Sequence, residues 1–284
     1  MTDGPLAGYL AVLSGDGRPT EGAQLCRGQF HDVVLIGDLA YRFPRGPGPA
    51  ADSPRQAGLL LLLAASGLPV AVPQPVASTP AGRPHSQSYL AVRRLPGQPL
   101  AGQLPAAASD ACLSQLCELL DRLHELGASP AVRELVPGPD PRRWQQFADH
   151  VAAVLFPLMS ADGRRRAGAE LTGVLAAEAG GNALVHGDLG GANLLWQGSG
   201  PDCRLAGVID WDEAHIGSQA DDLASIAVTI GWTLAARIDA ARNAGSPAIA
   251  DARAIAATFA LQQALPAALT GDTESLDDGL ASYR

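Results

Sequence analysis

Hydrophobic and polar positions alternate with the period of β-strands in the first part of the chain. The segments 28–36 and 39–43 are apolar runs separated by Gly37 and Asp38, a spacing that predicts a β-hairpin. Because glycine tolerates positive φ, Gly37 is predicted to occupy the first turn position of a type II′ hairpin. Two further strands are predicted at 70–76 and 88–95.

One helix is predicted between these strands. Ser53 has the character of an N-cap, Pro54 suits the first helical position, and Gln56 follows three residues after the cap as in a capping box. The helix is predicted to run through Leu63 and to end near Gly67.

After residue 97 the pattern changes to the 3.6-residue period of amphipathic helices. A helix from Ser109 carries an apolar stripe that includes His124 as a packed histidine, and Asp140 is predicted to cap a second helix. Further helices are predicted at 164–177, 220–243, 246–269 and 275–282. Short apolar strands interrupt the helices near 183–185, 194–196 and 207–209. The order predicts an α+β protein in two lobes.

Charge and composition exclude several classes of protein. The net charge is −9, and all 20 basic residues are arginine, so the chain contains no lysine. An acidic balance disfavours nucleic acid and anionic membranes and favours cationic partners. No apolar run reaches the ~18 residues of a membrane span, and no signal-peptide pattern is found, which predicts a cytoplasmic protein. The four cysteines lack the paired spacing of zinc or disulfide frameworks.

The polar residues with the clearest chemical pattern lie between the short apolar strands. Asp188 follows His186 and Gly187, Asn193 comes five residues later, and Asp210 comes 22 residues after Asp188. Each residue alone is explained by turn formation at a strand end. Together they supply what phosphoryl transfer needs, namely an acid that accepts the proton of a hydroxyl and oxygen ligands for magnesium.

The order H-G-D-x-x-x-x-N, I-D-W and D-L-A resembles the aminoglycoside phosphotransferase branch of the protein-kinase-like fold. The resemblance implies a small β-rich N-terminal lobe that binds nucleotide and a larger, mostly helical C-terminal lobe. It implies that Asp188 is the catalytic base and that Asn193 and Asp210 bind Mg²⁺. His186 and Asp222 are then structural supports, since the family's D-L-A aspartate braces the catalytic loop.

In the N-terminal lobe the resemblance implies that the loop of Gly28, Phe30 and His31 covers ATP or GTP. L-P-G-x-P-L follows the hinge in this family, so the backbone from Arg93 to Leu95 is expected to face the adenine. The resemblance therefore implies an N-terminal lobe at 1–96 and a C-terminal lobe at 97–284.

With no lysine in the chain, Arg42 falls at the phosphate-binding position of the A-x-K pattern, and Arg45 is a second candidate. A solvated arginine on an edge strand is the alternative for Arg42. Gln56 falls nearest the family's paired glutamate, but the capping box explains it without a nucleotide role, and that interpretation is preferred.

The segments W-Q-Q-F, L-F-P-L-M-S and F-A-L-Q-Q-A-L narrow the resemblance to the tuberactinomycin phosphotransferases. These enzymes inactivate viomycin and capreomycin by phosphorylating a hydroxyl, which implies a cationic peptide antibiotic as the substrate. Trp211, Asp212 and Glu213 follow the metal ligand and are expected to form an acidic lip that receives it. A solvated turn is the alternative for the two carboxylates.

Two other classes of function remain open from the sequence. One is a kinase of the same fold for an aminoglycoside, choline, homoserine or a sugar. The other is a protein that binds nucleotide or antibiotic without turnover, which the presence of Asp188, Asn193 and Asp210 together disfavours. Both ATP and GTP are retained as nucleotides, and no oligomeric state is predicted.

Overall fold

The fold is given by a computed structural model that describes residues 4–28, 30–80, 82–100, 109–177, 180–198, 202–242 and 248–284. Its helices are α1 (Pro5–Gly15), α2 (Pro47–Ala65), α3 (Ser109–Leu126), α4 (Pro130–Arg133), α5 (Arg143–His150), α6 (Ala161–Ala176), α7 (Gln219–Thr229), α8 (Trp232–Arg242), α9 (Ala248–Ala257), α10 (Phe259–Thr270) and α11 (Thr273–Leu280). Its strands are β1 (Gln24–Arg27), β2 (His31–Ile36), β3 (Leu39–Pro44), β4 (Pro75–Ser78), β5 (Leu90–Arg93), β6 (Gln98–Pro99), β7 (Ala183–Val185), β8 (Leu194–Gln197), β9 (Arg204–Val208) and β10 (His215–Gly217).

The chain divides into two compact units. The first comprises Met1–Pro99 with Asn193–Asp212, and the second comprises Leu100–Ala192 with Glu213–Arg284. The predicted α+β class is confirmed, with the sheet early in the chain and the helices late. The first unit continues to Pro99 and also includes Asn193–Asp212, whereas the division into lobes at residue 97 stays a prediction.

The first unit is built on a five-stranded antiparallel sheet in the order β1-β2-β3-β5-β4. The predicted hairpin is present as β2 and β3, in which Ile36 lies opposite Leu39. Gly37 has a φ of 58°. Positive φ at this turn position is what a type II′ turn requires, so Gly37 sets the register of the hairpin.

One face of this sheet packs against α1. Val34 and Ile36 lie on the buried face of β2 and pack in a core that also contains Leu13 of α1. The ring of Tyr9 stacks on Phe43 with centroids 4.3 Å apart. The same face of β2 buries the carboxylate of Asp32. A buried carboxylate needs a donor, and the Tyr9 hydroxyl supplies one at 2.8 Å.

A small antiparallel sheet, β6-β8-β9, joins Asn193–Asp212 to the first unit. The N–H of Val208 donates to the carbonyl of Ala71 at 2.9 Å, and the N–H of Ala71 donates to Ala206 at 3.1 Å. Gly97 approaches this sheet with a φ of 107°, and a Cβ there would lie 2.9 Å from the carbonyl oxygen of Trp196. These backbone contacts explain why the grouping does not follow chain order.

The second unit is helical around the short antiparallel pair β7-β10. Helix α7 is buried at every position from Ala220 to Ala227, and Val185 lies opposite His215 beside it. A second cluster joins α6 and α10 to the end of the chain through Ala167, Leu261 and other apolar residues. The unit therefore has an almost wholly buried helix close behind the loop that follows β7.

Helix α2 begins earlier than the capping pattern predicts. Gly46 is its N-cap and Pro47 its first residue, so the predicted cap at Ser53 is wrong. The Ser53 hydroxyl instead donates to the carbonyl of Pro49 within the helix at 3.2 Å. Prolines in the first helical turn lack only N–H groups that have no intrahelical acceptor, so the Pro/Gly-rich run starts the helix instead of forming a loop.

The predicted strand at 70–76 is also wrong. Only Ala71 forms a bridge, and the strand that pairs with β5 is β4, which begins at Pro75. Pro69 and Pro73 interrupt the apolar run, and a proline cannot donate to a ladder, so apolar character alone does not make this segment a central strand.

Two long predicted helices are each divided. The helix predicted at 220–243 becomes α7 and α8, separated at Gly231, whose φ is 143°. The helix predicted at 246–269 becomes α9 and α10 on either side of Thr258, whose hydroxyl donates to the carbonyl of Ile255 at 2.7 Å. The predicted termini at 243 and 246 lie outside the described residues.

Two smaller predictions fail for local reasons. Asp140 does not cap α5, because its carboxylate accepts the N–H of Arg142 two residues later and forms a turn before the helix. His124 is exposed, since the buried stripe of α3 passes through Leu116, Leu120 and Leu123. Within the described ranges, no helix has the length and apolar character to cross a membrane.

Helix α6 provides a test of the packing at the chain end. A Cβ at Gly163 would lie 1.9 Å from the carbonyl oxygen of Tyr283, whereas one at Gly168 on the same helix would meet nothing within 4 Å. We expect Gly163→Ala to lower the free energy of unfolding by about 1–3 kcal/mol through overpacking. The control Gly168→Ala should raise it by about 0.5–1 kcal/mol. Chemical denaturation measures both, and equal effects would contradict the packing described.

Candidate active site

The loop after β7 is held by a buried carboxylate. Asp222, in the first turn of α7, accepts the N–H of His186 and the N–H of Gly187, each at 3.0 Å. Gly187 has a φ of 87°, and a Cβ there would lie 2.5 Å from the carbonyl oxygen of Glu213. The backbone before Asp188 is therefore fixed by two hydrogen bonds and by a glycine that no other residue can replace without strain.

Burial and hydrogen bonding have opposite effects on the pKa of Asp222. The side chain is 1% exposed, and burial raises the pKa of its carboxyl group to about 7 although the two backbone N–H groups favour the ionised form. A group with so little contact with water and two backbone partners supports structure and does not contact a substrate.

His186 and Asp188 differ in accessibility. His186 is fully buried, and its Nδ1 accepts the N–H of Asp188 at 3.2 Å. Asp188 itself is exposed. The histidine thus orients the backbone that carries Asp188, and the carboxylate of Asp188 is accessible from solvent.

Asn193 and Asp210 lie at the same end of the β8-β9 pair. Leu194 is opposite Val208, and the carbonyl of Asn193 accepts the N–H of Ile209 at 3.0 Å. Asp210 has a φ of 65°, and it is the one non-glycine residue with positive φ in the described ranges. Backbone strain of this kind is concentrated at functional sites.

The oxygen donors of these two residues suit a hard cation. Asn193 offers an amide oxygen and Asp210 a carboxylate that is 53% exposed, and Mg²⁺ takes one or two such protein ligands while phosphate and water complete its shell. Within the described residues, no group of three or more His, Cys, Asp or Glu side chains could hold a metal ion. The amide and carboxylate oxygens of Asn193 and Asp210 fit a magnesium ion that a nucleotide would also bind.

Arg42 lies in a charged cluster of the first unit. One guanidinium nitrogen, Nη2, is 2.6 Å from Oδ2 of Asp212 and 3.3 Å from Oδ1 of Asp210. His31 Nδ1 is 2.9 Å from the same Oδ2 of Asp212. The side chains of Arg42, His31 and Asp212 are each only 10–12% exposed. Arg42 is therefore not a solvated edge residue, because two carboxylates orient it.

Two opposing effects set the pKa of Asp212. Burial raises it, but the hydrogen bond from His31 and the charge of Arg42 outweigh burial and hold the pKa well below its usual range. Among the described residues, the second carboxylate oxygen of Asp212 is buried without a hydrogen-bond partner. The carboxylate is therefore an internal counter-ion.

The predicted acidic lip is not present as expected. Trp211 is fully buried, and its Nε1 donates to the carbonyl of Val208 at 3.1 Å. Asp212 is engaged by Arg42 and His31, so neither residue is available to a substrate. The left-handed turn at Asp210 ends the strand alternation and directs Trp211 into the core. Glu213 is exposed and belongs to the second unit, and its role as a substrate contact stays a prediction.

Gln56 has a different role from the predicted cap. It is 3% exposed, and its Nε2 donates to the carbonyls of Trp211 at 3.3 Å and Asp212 at 3.4 Å. The side chain holds the backbone that follows the metal ligand. Gln56 lies three, four and seven residues before the buried leucines of α2 (Leu59, Leu60 and Leu63). That helical spacing was the sequence signal for a buried polar residue.

Gly28 and His31, at the two ends of the loop predicted to cover the nucleotide, are hydrogen bonded to each other. The N–H of Gly28 donates to the carbonyl of His31 at 3.0 Å, and a Cβ at Gly28 would lie 2.7 Å from that oxygen. Nη1 of Arg45 donates to the carbonyl of Gly28 at 2.8 Å, and the backbone N–H of Arg45 donates to the carbonyl of Phe30. Arg45 thus braces the loop with part of a half-exposed guanidinium, and its role as the second candidate for phosphate binding stays a prediction.

The segment predicted to face adenine follows β5. The N–H of Arg93 donates to Gln74 and that of Arg94 to Asp38, both at 2.8 Å. Leu95 packs on Gly207, where a Cβ would lie 2.6 Å from a methyl carbon of Leu95. Adenine binding by Arg93 and Leu95 stays a prediction.

The sheet of the first unit followed by the helices of the second has the order of elements of the protein-kinase-like fold. Residues 24–266 match the family described as "Phosphotransferase enzyme family", and the chain belongs to that family. It is 39% identical over 276 residues to viomycin phosphotransferase of Streptomyces vinaceus, covering 96% of each chain.

Solved structures show the same fold. The GDP and kanamycin complex of APH(2″)-IIia aligns with a TM-score of 0.83 at 21% identity and covers 96% of each chain. The apoenzyme of macrolide 2′-phosphotransferase MphH from Brachybacterium faecium aligns with a TM-score of 0.72 at 22% identity and covers 97% of each chain. The family match and the 39% identical relative show that the protein is an enzyme that transfers phosphate.

The buried position of Asp212 is open to direct test. Asp212→Asn removes the nearer and better buried of the two charges opposite Arg42 and should lower the free energy of unfolding by about 2–4 kcal/mol, because a largely buried cation loses its main counter-ion. The matched control is Asp38→Asn, whose pair with Arg93 is 77% and 59% exposed and should contribute less than about 1 kcal/mol. Chemical denaturation at neutral pH separates them. Equally small losses would show that Asp212 is solvated, as a substrate lip requires.

Proposed function

We propose that this enzyme transfers the γ-phosphate of ATP or GTP to a hydroxyl group of a cationic cyclic peptide antibiotic of the viomycin–capreomycin type and thereby inactivates it. The observation that carries the proposal is the 39% identity to viomycin phosphotransferase along 96% of both chains. The aminoglycoside and macrolide enzymes are only 21% and 22% identical to this chain, so they support the fold. The proposed substrate class is therefore taken from the 39% identical relative.

Asp188 is proposed as the catalytic base. Its exposed carboxylate extends from a loop that is fixed by His186 and Asp222, so it is accessible to an incoming hydroxyl. A carboxylate in this position orients the hydroxyl toward the γ-phosphate and accepts its proton as the new bond forms. Positioning is the main contribution, because phosphoryl transfer requires little covalent chemistry from the protein.

Asn193 and Asp210 are proposed to hold Mg²⁺ on the nucleotide. When bound, the ion would neutralise charge on the β- and γ-phosphates. The strained backbone at Asp210 aims its carboxylate, and Gln56 fixes the two residues that follow through their carbonyls. The protein's own contribution is thus a ligand pair whose backbone is held from two sides.

Arg42 is proposed to contact the phosphates in place of the family's lysine. Its planar guanidinium has several N–H donors, so it can bind a phosphate oxygen and remain bonded to Asp212. Asp212 then acts as the counter-ion that sets the direction of Arg42. In this arrangement the carboxylate that pairs with Arg42 belongs to Asp212, two residues after the proposed metal ligand Asp210. Position 56 carries an amide and cannot supply a carboxylate.

Charge supports the class of acceptor. The net charge of −9 favours association with a polycationic antibiotic, and Glu213 is an exposed carboxylate three residues after the proposed metal ligand. A neutral acceptor such as a simple sugar gains nothing from this charge. The acidic surface therefore favours the peptide antibiotics over a housekeeping sugar kinase.

A substrate screen tests the proposal. The enzyme is incubated with ATP or GTP and Mg²⁺ together with viomycin, capreomycin, kanamycin, a macrolide or choline, and mass spectrometry detects phosphorylated product. We expect phosphate on a hydroxyl of viomycin or capreomycin and a lower kcat/KM for the others. Phosphorylation of kanamycin or choline in preference to both peptides would refute the substrate class and leave the phosphotransferase chemistry intact.

Two substitutions separate chemistry from nucleotide binding. Asp188→Asn should lower kcat by about 10²–10⁴, because the base is lost, with little change in nucleotide Kd.

Arg42→Gln should raise the nucleotide Kd, since a phosphate contact is removed. Arg122→Gln is the control, because it removes an arginine from an exposed pair with Glu125 on α3. A kcat within about threefold of wild type in Asp188→Asn would exclude this residue as the base.

A further inference from the structure

The last residue of α7 contacts the loop that carries Asp188. The N–H of Gly191 donates to Oγ1 of Thr229 at 2.9 Å, and the hydroxyl of Thr229 donates to the carbonyl of Ser225 at 2.7 Å. A threonine hydroxyl has one donor hydrogen and two acceptor lone pairs. Because the hydrogen is used within the helix, a lone pair faces the loop and can accept the N–H of Gly191.

Helix α7 therefore binds the loop at two places. Asp222 in the first turn accepts the N–H groups of His186 and Gly187, which precede Asp188, and Thr229 accepts the N–H of Gly191, which follows it. The two attachment points are about two turns apart on one largely buried helix. A rigid element thus spans the loop and bonds to it on both sides of Asp188.

Two further backbone hydrogen bonds are present in the loop. The N–H of Gly190 donates to the carbonyl of Asp188 at 2.8 Å, and the carbonyl of Gly191 accepts the N–H of Leu100 at 3.2 Å. Gly191 is consequently bonded through both its N–H and its carbonyl. The bond to Thr229 is the one that ties this turn directly to the helix that also carries Asp222.

The loop and Thr229 are in close contact as well as hydrogen bonded. A Cβ at Gly190 would lie 3.2 Å from the methyl carbon of Thr229 and 3.6 Å from Oδ1 of Asp188. The absence of a side chain at Gly190 is what allows the loop to approach the end of α7. A change at Thr229 is therefore transmitted to the residue beside the carboxylate of Asp188.

We propose that Thr229 is a positioning residue for phosphoryl transfer, which together with Asp222 holds the loop in the geometry that directs the carboxylate of Asp188. The inference rests on the proposed role of Asp188 as the base. Thr229 takes no part in proton transfer and acts through the backbone of Gly191. A misplacement of about 1 Å in such a group is enough to lower the rate up to about 10²-fold, so one additional hydrogen bond is significant.

The first test compares three substitutions that differ in one group each. Thr229→Val keeps the shape and removes the acceptor, Thr229→Ser keeps the hydroxyl, and Thr172→Val removes an equivalent bond from Thr172 to the carbonyl of Gly168 in α6. We expect kcat to fall about tenfold in Thr229→Val with the KM for nucleotide unchanged. Thr229→Ser should retain most of the activity, and Thr172→Val should be indistinguishable from wild type.

A kcat of Thr229→Val within about twofold of wild type would overturn the inference. So would an equal loss in Thr229→Ser, because that result would assign the effect to the methyl group. Hydrogen exchange supplies a readout without turnover. Exchange at the peptide containing Gly191 should accelerate in Thr229→Val and stay at the wild-type rate in Thr172→Val, and unchanged exchange in Thr229→Val would also overturn the inference.

The close approach at Gly190 provides a second, independent arm. Gly190→Ala brings a methyl group against the Thr229 methyl and should lower kcat, and the loss should be smaller in a Thr229→Ser background, which lacks that methyl. Equal losses in both backgrounds would show that Thr229 does not constrain the loop. Asp188→Asn, measured alongside, distinguishes the two hypotheses. If it is inactive while the Thr229 variants are normal, only the present inference fails, and if it is active, the proposed role of Asp188 fails.

Discussion

The proposed chemistry depends on one buried carboxylate that accepts two backbone N–H groups. Burying the charge of Asp222 without partners would be strongly unfavourable, and the N–H groups of His186 and Gly187 are the compensation. Those two groups follow β7 and would otherwise lack acceptors within a largely apolar core. The side chain and the loop therefore stabilise each other, and the position of Asp188 is a consequence of packing in α7.

The first unit solves a different electrostatic problem. A cation that is largely shielded from water needs a counter-ion, which compensates for the lost solvation and also orients the cation. Here Arg42 is held by Asp212, and His31 shares the same carboxylate oxygen. Gln56 of α2 carries an amide that bonds to the backbone carbonyls of Trp211 and Asp212. The carboxylate nearest Arg42 comes from a distant segment of the chain, at residue 212.

Prediction from the sequence was accurate where local chemistry has few alternatives. Gly37 between two apolar runs allows a hairpin and little else, and the hairpin is present. The failures share a physical cause, which is that tertiary contacts decided between local options of similar energy. Ser53 has a good capping side chain, but the prolines before it are equally compatible with a helix. Trp211 and Asp212 follow a strand, and only the turn at Asp210 shows that both are enclosed.

The sequence by itself determined the chemical class, because Asp188, Asn193 and Asp210 occur at a characteristic spacing. That spacing follows from the lengths of the strands and loops, and it can be identified without knowledge of the tertiary packing. The sequence also determined that no lysine could bind phosphate. Only the tertiary structure decided which acidic residue pairs with Arg42, that Gln56 faces carbonyl groups, and that Thr229 reaches Gly191. These contacts join residues 38 to 170 positions apart, and a local pattern cannot specify partners at that separation.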